Sequence, residues 1–248
     1  MSYGSFAYFY DRLTENVDYK SYAAYIKRLF DSYGKNKKIN SVLDIACGTG
    51  SLTAELSKLG FEMIGADASA EMLMEAQMKK SEENLDILYL CQSAEELDLY
   101  GTVEGAVCTL DSINHITDEE NVLKAFGKIS LFMEKDGLFI FDMNTEYKHR
   151  EILGNNTFVY DLDDVYCVWQ NELDEDDLLT HITLDIFCEE NGLYDRFTEE
   201  FDERVYSHNT VLKWLEMSDF ELLECFKEMT EEKPDEDTQR LIYIARKK

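Results

Sequence analysis

Val42-Leu43-Asp44-Ile45-Ala46-Cys47-Gly48-Thr49-Gly50 is the stretch on which the fold turns. A short apolar run with one embedded acid ends in Gly-x-Gly and opens a helix to about residue 59. That layout lets backbone N–H groups approach a ligand closely at the C-terminal edge of a parallel sheet. Asp67 ends the next strand-like run, 61–66, where an acid can grip both hydroxyls of a nucleoside ribose. Further out, Ser69 is placed to cap a helix to about residue 80, and apolar runs at 86–91 and 105–110 read as strands. Asp118 is placed as N-cap of a helix to residue 133, and 138–143 follows Asp136-Gly137 as a fifth strand. Upstream, Tyr22, Tyr25, Ile26, Leu29, Phe30 and Tyr33 form one face of a helix over 18–33. Strands alternating with helices of this length predict an α/β fold with a mostly parallel sheet covered on both faces.

After Gly154 the period changes from helical to two. Thr180, Ile182, Leu184, Ile186 and Cys188 share one face, and His181, Thr183, Asp185 and Phe187 the other. The segments 165–170 and 197–205 alternate similarly, and Glu190-Asn191-Gly192 supplies a turn. We therefore expect an antiparallel β flap at 155–206, inserted into a domain made of 1–154 and 207–248. A helix over 207–217 and strands at 221–226 and 241–245 complete a seven-stranded sheet, with 231–238 as a polar loop.

The chain has 248 residues, 24 Lys+Arg against 52 Asp+Glu, and a formal net charge of −28. Its basic clusters (Lys35/Lys37/Lys38, Lys79/Lys80 and Arg246-Lys247-Lys248) are short, so nucleic acid and anionic membrane are excluded as partners. The acid is concentrated: 151–206 holds 17 carboxylates against Arg196 and Arg204. These acids serve either to steer a cationic ligand beneath the flap or to keep the protein solvated. No apolar run reaches membrane-spanning length, residues 1–4 lack signal-peptide character, and six cysteines without a Cys-x-x-Cys pair read as buried thiols. A cytoplasmic location and no metal are expected.

Two phosphate-binding readings of the glycine turn fail. A dinucleotide fingerprint needs Gly or Ala at position 53, which is Thr53, and the Gly-Lys-Ser/Thr of a P-loop is missing. S-adenosylmethionine (SAM), which has no phosphate and carries a sulfonium, suits the site better. At LDIACGTG (43–50), GADAS (65–69), CQSAEEL (91–97), CTLDSINHI (108–116) and FAYFYDRL (6–13) the sequence resembles class I SAM-dependent methyltransferases, over nearly its whole length. Its opening FAYFYDRL is similar to that of bacterial small-molecule enzymes related to glycine N-methyltransferases and amino-sugar N,N-dimethyltransferases. The resemblance implies a Rossmann-like fold and a cofactor site built from Tyr10, Tyr22, Asp44, Ala46, Gly48, Gly50, Asp67, Ala68, Met72, Ser93, Ala94 and Leu110. In it Asp67 holds the ribose, and Ala46, Gly48 and Gly50 lie along the methionyl part. Asp44 orders the turn through backbone N–H groups or meets the ammonium indirectly. Ala68 and Met72 flank the adenine, Ser93 and Ala94 meet its edge, Leu110 packs near the sulfonium and Tyr22 lies near the cofactor carboxylate.

The same resemblance places His115 as base, with Tyr10 and Asp111 as catalytic or orienting partners; His149, His181 and His208 read as flap or surface residues. The expected reaction is in-line transfer of a methyl group to a small-molecule amine, leaving S-adenosylhomocysteine. A protein substrate and a non-catalytic SAM-binding regulatory module are the alternatives. The lone Pro234, between Lys233 and Asp235, excludes the (Asp/Asn)-Pro-Pro-(Tyr/Phe) and Pro-Cys motifs of DNA methyltransferases. Met143-Asn144 stands where glycine N-methyltransferases carry a carboxylate-binding arginine, which disfavours glycine as acceptor.

Overall fold

A computed structural model describes residues 6–34, 38–163, 165–190 and 192–248. Residues 1–4, Lys35, Lys37 and Asn191 lie outside the described residues. The helices are α1 (Phe6–Leu13), α2 (Tyr19–Tyr33), α3 (Ser51–Lys58), α4 (Ala70–Glu83), α5 (Glu119–Leu131) and α6 (His208–Met217). The main-sheet strands are β1 (Ser41–Ile45), β2 (Glu62–Asp67), β3 (Ile87–Cys91), β4 (Val103–Cys108) and β5 (Met133–Asn144), then β10 (Phe220–Lys227) and β11 (Arg240–Lys247). Between β5 and α6 lie β6 (Thr157–Asp161), β7 (Val165–Asp174), β8 (Leu179–Glu190) and β9 (Leu193–Arg204).

The seven-stranded sheet runs β10-β11-β5-β4-β1-β2-β3, with β11 antiparallel to both neighbours. The chain winds from β1 out to β3, then returns to place β4 on the other side of β1. Ligands bind at such a reversal, outside the carboxyl ends of the strands. The helix starts are set by side chains: Asp18 accepts from Ser21 N–H (3.0 Å), Ser69 from Met72 N–H (3.1 Å) and Asp118 from Glu120 N–H (2.9 Å).

Successive residues of β1 feed two cores. Val42 faces Ile26, Leu29 and Leu56 on one side of the sheet, and Leu43 joins Phe126, Trp214 and Phe141 on the other. Phe126 is fully buried, with ring centroids of Phe139, Phe141 and Trp214 within 5.8 Å. Truncating it to Ala would cost about 3–5 kcal/mol.

β6–β9 form a separate four-stranded antiparallel sheet. Its inner face, Val165, Cys167, Ile182, Leu184 and Ile186, packs on Phe6 and Phe9 of α1 and on Met72. Strand β5 begins at Met133, earlier than expected, because Asp136-Gly137 lies within the strand. Pairing with β4 jumps from Met133 to Leu138 there, and a side chain on Gly137 would strike the Glu104 carbonyl. Helix α1, strand β6 and a π-helical turn at Lys148–Leu153 are additional to the elements read from sequence. The cysteines are all free, but Cys91 is exposed and only Cys108 and Cys167 are fully buried.

Candidate active site

The turn after β1 has three left-handed residues, Ala46 (φ 54°), Gly48 (55°) and Gly50 (73°). A Cβ at Gly50 would collide with the Tyr89 hydroxyl, whereas one at Gly48 would meet nothing within 4 Å. Gly50 is thus demanded by packing, and Gly48 leaves open space before the backbone. Gly48 N–H donates to Asp67 Oδ2 and Ser69 N–H to Asp67 Oδ1, each at 2.8 Å. Each oxygen retains a further lone pair for a ligand hydroxyl. Asp67 therefore supplies the backbone anchorage expected of Asp44. Asp44 instead accepts from Thr53 Oγ1 (2.5 Å), and burial pushes its carboxyl up to about 7.

Helix α1 lies across this turn. Asp11 accepts from Thr49 Oγ1 (2.5 Å) and Ser51 Oγ (3.0 Å), and Lys79 Nζ of α4 reaches Asp11 Oδ2 at 2.8 Å and Thr49 O at 3.1 Å. A cleft of about 30 Å³ remains between Tyr10, Tyr19, Asp44, Ala46, Gly48 and Leu110. After β3, Ser93 Oγ is buried without a hydrogen-bond partner, and Ala94 opens a short 3-10 turn. Ala68 turns its carbonyl toward the Cys91 thiol (3.7 Å), and Met72 is buried against the α1 cluster.

Tyr22 is not at this cleft. It is buried and donates its hydroxyl to Asp142 Oδ2 at 2.6 Å, while Tyr19, three residues earlier on α2, takes the place at the cleft wall. Asp142 also accepts from the backbone amides of Leu110 (2.7 Å) and Asp111 (2.6 Å). Those two residues are both left-handed, at φ 55° and 56°. Side chains on such backbone cost about 1–2 kcal/mol each, so the carboxylate offsets strain in the loop after β4. Burial raises the Asp111 carboxyl, but Arg240, with Lys148 and His115, overrides it and holds it below the ordinary carboxylate range. Asp111 Oδ1 lies 3.1 Å from Arg240 Nη2 and Oδ2 accepts from Asn144 Nδ2 at 2.5 Å.

A second cavity, about 170 Å³, opens beneath the four-stranded sheet between Tyr10, Leu110, His115, Trp169, Phe201 and Glu203, with Asp111 also at its wall. Burial pushes the Tyr10 hydroxyl well above its ordinary value, so it stays protonated. The His115 ring sits 5.0 Å from Phe201, and its Nε2 is 3.8 Å from Glu203 Oε1. The other histidines are dispersed: His181 pairs with Asp202 (2.8 Å) and His208 stacks on Tyr243. His149, expected at the flap or surface, is fully buried. Among the expected residues, Tyr10, Leu110, Asp111 and His115 meet at this cavity, and Asp44, Ala46 and Gly48 meet Tyr10 and Leu110 at the smaller cleft. A separate groove of about 400 Å³, bounded by Asp161, Tyr166, Phe187 and Tyr194, contains none of them.

Residues 42–137 match the methyltransferase domain family. The whole chain superposes on an S-adenosylmethionine-dependent methyltransferase from Clostridium acetobutylicum, with TM-score 0.89, 33% identity and 99% of that chain covered. This chain belongs to the class I SAM-dependent methyltransferases. A protein of Geobacillus sp. (strain WCH70), named as a putative methyltransferase, is 29% identical to it over the full length of both. The methyltransferase also shares its fold with a SAM-bound amino pentose methyltransferase from Micromonospora echinaspora (TM-score 0.77, 13% identity, 97% of this chain and 96% of that one). Among the described residues no helix is long and apolar enough to cross a membrane, and no group of three or more His, Cys, Asp or Glu is arranged to hold a metal ion.

Proposed function

We propose that this methyltransferase holds SAM along the glycine turn and methylates a small-molecule amine in the cavity beneath the flap. The observation that carries this reading is that Tyr10 and Leu110 line both spaces. Two ligands filling them would meet at those side chains. Residues 155–206 then act as a substrate-covering flap on a domain made of 1–154 and 207–248.

The residues fit the cofactor. Gly48 leaves open space where a methionyl chain passes, Asp67 keeps spare acceptor capacity for a ribose, and Ser93 Oγ lacks the partner an adenine edge would supply. Gly50, Ala68, Met72 and Ala94 shape the remaining walls, and Asp44 lies where a buried carboxyl can meet an ammonium. When bound, SAM supplies an electrophilic methyl carbon on a sulfonium.

The protein's part is alignment, dehydration and proton removal. The Leu110-Asp111 turn, braced by Asp142, holds the acceptor side against the cofactor side, and fixed approach geometry lowers the barrier. Trp169 and Phe201 of the flap exclude water. An amine attacks only in its neutral form, so His115 serves as base. Asp111, its charge answered by Arg240, stays ionised and takes no proton. The shared fold of the amino pentose enzyme and the size of the cavity support a small acceptor over a protein side chain.

Incubation with methyl-labelled SAM and fractionated metabolites, followed by mass identification of the product, tests the reading. A labelled amine is expected; label appearing only in protein would overturn it. Asp67→Ala should lower affinity for S-adenosylhomocysteine at least tenfold by calorimetry, and unchanged affinity would refute the ribose assignment.

A further inference from the structure

Behind His115 lies a buried polar cluster that the methyl-transfer scheme above does not use. Glu203, on flap strand β9, is 3% exposed, and its two carboxylate oxygens face two histidines. Oε1 is 3.8 Å from His115 Nε2, and Oε2 is 3.5 Å from His149 Nε2. His149 is fully buried, its Nδ1 is 2.7 Å from Thr180 Oγ1, and its Nε2 has no hydrogen-bond partner. Asn144 fixes the carboxylate. Its Oδ1 accepts from Lys148 Nζ (2.9 Å) and Arg240 Nε (3.1 Å), which turns its amide group to donate to Asp111 (2.5 Å) and to Glu203 Oε2 (3.1 Å).

The charges in this cluster pair unequally. Arg240 answers Asp111 at 3.1 Å, but among the described residues only His115 and His149 bring an ionisable nitrogen within 4 Å of Glu203. Burial pushes His149 down to about 4, so it stays neutral and cannot act as counter-ion. Burial, then Asp111, raises the Glu203 carboxyl. A positive charge on His115 relieves that burden.

We propose that Glu203 is a positioning residue for methyl transfer, a fixed flap carboxylate that lets His115 accept the acceptor's proton, with His149 and Asn144 as its buried props. The proposal rests on the amine reading. The acceptor nitrogen gains a methyl group and sheds one proton; the N–H electron pair stays on nitrogen. The proton bonds to the His115 imidazole, Glu203 balances the imidazolium, and the proton passes to water from the exposed side of His115. No electron is exchanged with any other group. Because Glu203 is carried by β9 and His115 follows β4, the base unit is complete only with the flap seated.

The groups that bear on this pair are Glu203 itself, Asp111 and His115 from the loop after β4, Lys148 and His149 from the π-helical turn, Arg240 from β11 and Tyr10 from α1. Proton NMR titration of the four histidines, with His115 assigned through His115→Gln, reads the effect without knowledge of the acceptor. In Glu203→Gln, which keeps the shape but drops the charge, the His115 midpoint should lie below that of the wild type. On an amine acceptor, the acid limb of kcat/KM should move down by the same amount and the plateau should fall about tenfold. An unmoved midpoint overturns the proposal whatever the acceptor, and so does a moved midpoint with an unmoved rate profile. If the wild type methylates no amine, the amine reading falls, and a shifted midpoint still upholds the hold of Glu203 on His115. Should Glu203→Gln fail to bind S-adenosylhomocysteine through loss of fold, Glu203→Asp replaces it, with a smaller fall expected and no fall overturning the proposal.

Discussion

Asp11 of α1 and Lys79 of α4 meet at 2.8 Å across the glycine turn, joined there by the hydroxyls of Thr49 and Ser51. The carboxylate ties the first helix to the loop proposed to hold the cofactor. Both side chains are partly exposed, so the ion pair adds at most about 1 kcal/mol to stability. Its larger effect is local. In Asp11→Ala the amides of Phe6–Leu13 should exchange faster in hydrogen–deuterium measurements. S-adenosylhomocysteine should both enter and leave faster by stopped-flow, with the urea midpoint nearly unchanged. Equal exchange rates in variant and wild type would show that α1 is held by the flap face alone.

Tyr22 has a different job from the one its place on α2 suggests. Its hydroxyl donates to Asp142, the same carboxylate that receives the Leu110 and Asp111 amides. Tyr22→Phe should cost about 2 kcal/mol in urea unfolding, the range of a hydrogen bond to a charged group. Affinity for S-adenosylhomocysteine should change less than twofold. A tenfold loss of affinity with unchanged stability would restore Tyr22 to the cofactor site.

Asp44 makes stability depend on pH in a direction opposite to that of a salt-bridged acid. Folded, its carboxyl is raised to about 7, against an ordinary 3.8. Its favourable contribution is complete below the unfolded value and is lost as pH rises toward 7, because over that interval the folded chain keeps a proton that the unfolded chain has released. Asp44→Asn retains a partner for Thr53 but no longer titrates. The stability of the variant relative to wild type should rise by roughly 2–3 kcal/mol between pH 5 and 7.5, measured by urea unfolding at both. A constant difference would mean that Asp44 is ionised throughout.

Much of the fold was readable because two periodicities switch cleanly. Helical spacing marked α2 and α5, and the alternation from Thr180 to Ile186 marked β8 and its buried face. Gly48 and Gly50 revealed the turn because backbone geometry there excludes most side chains. What escaped depended on contacts across long stretches of chain. Tyr19 and Tyr22 sit on one helix, and nothing in their spacing tells which faces the cleft. Glu203 read as one more acid in an acidic segment; only the approach of β9 to the loop after β4 gives it His115 as a neighbour. His149 was misplaced because the tight turn at 148–153, which carries it inward, has no periodic signature.

Arg240 belongs to the strand that enters the sheet last in chain order, yet its guanidinium secures Asp111 in the loop after β4. During synthesis, β1 to β5 are made well before β11, so a nascent chain has the glycine turn and Asp67 before the counter-charge for Asp111 exists. The proposed acceptor side can mature only in a nearly finished polypeptide. Chains truncated before residue 240 would therefore lack a competent centre even with the glycine turn intact.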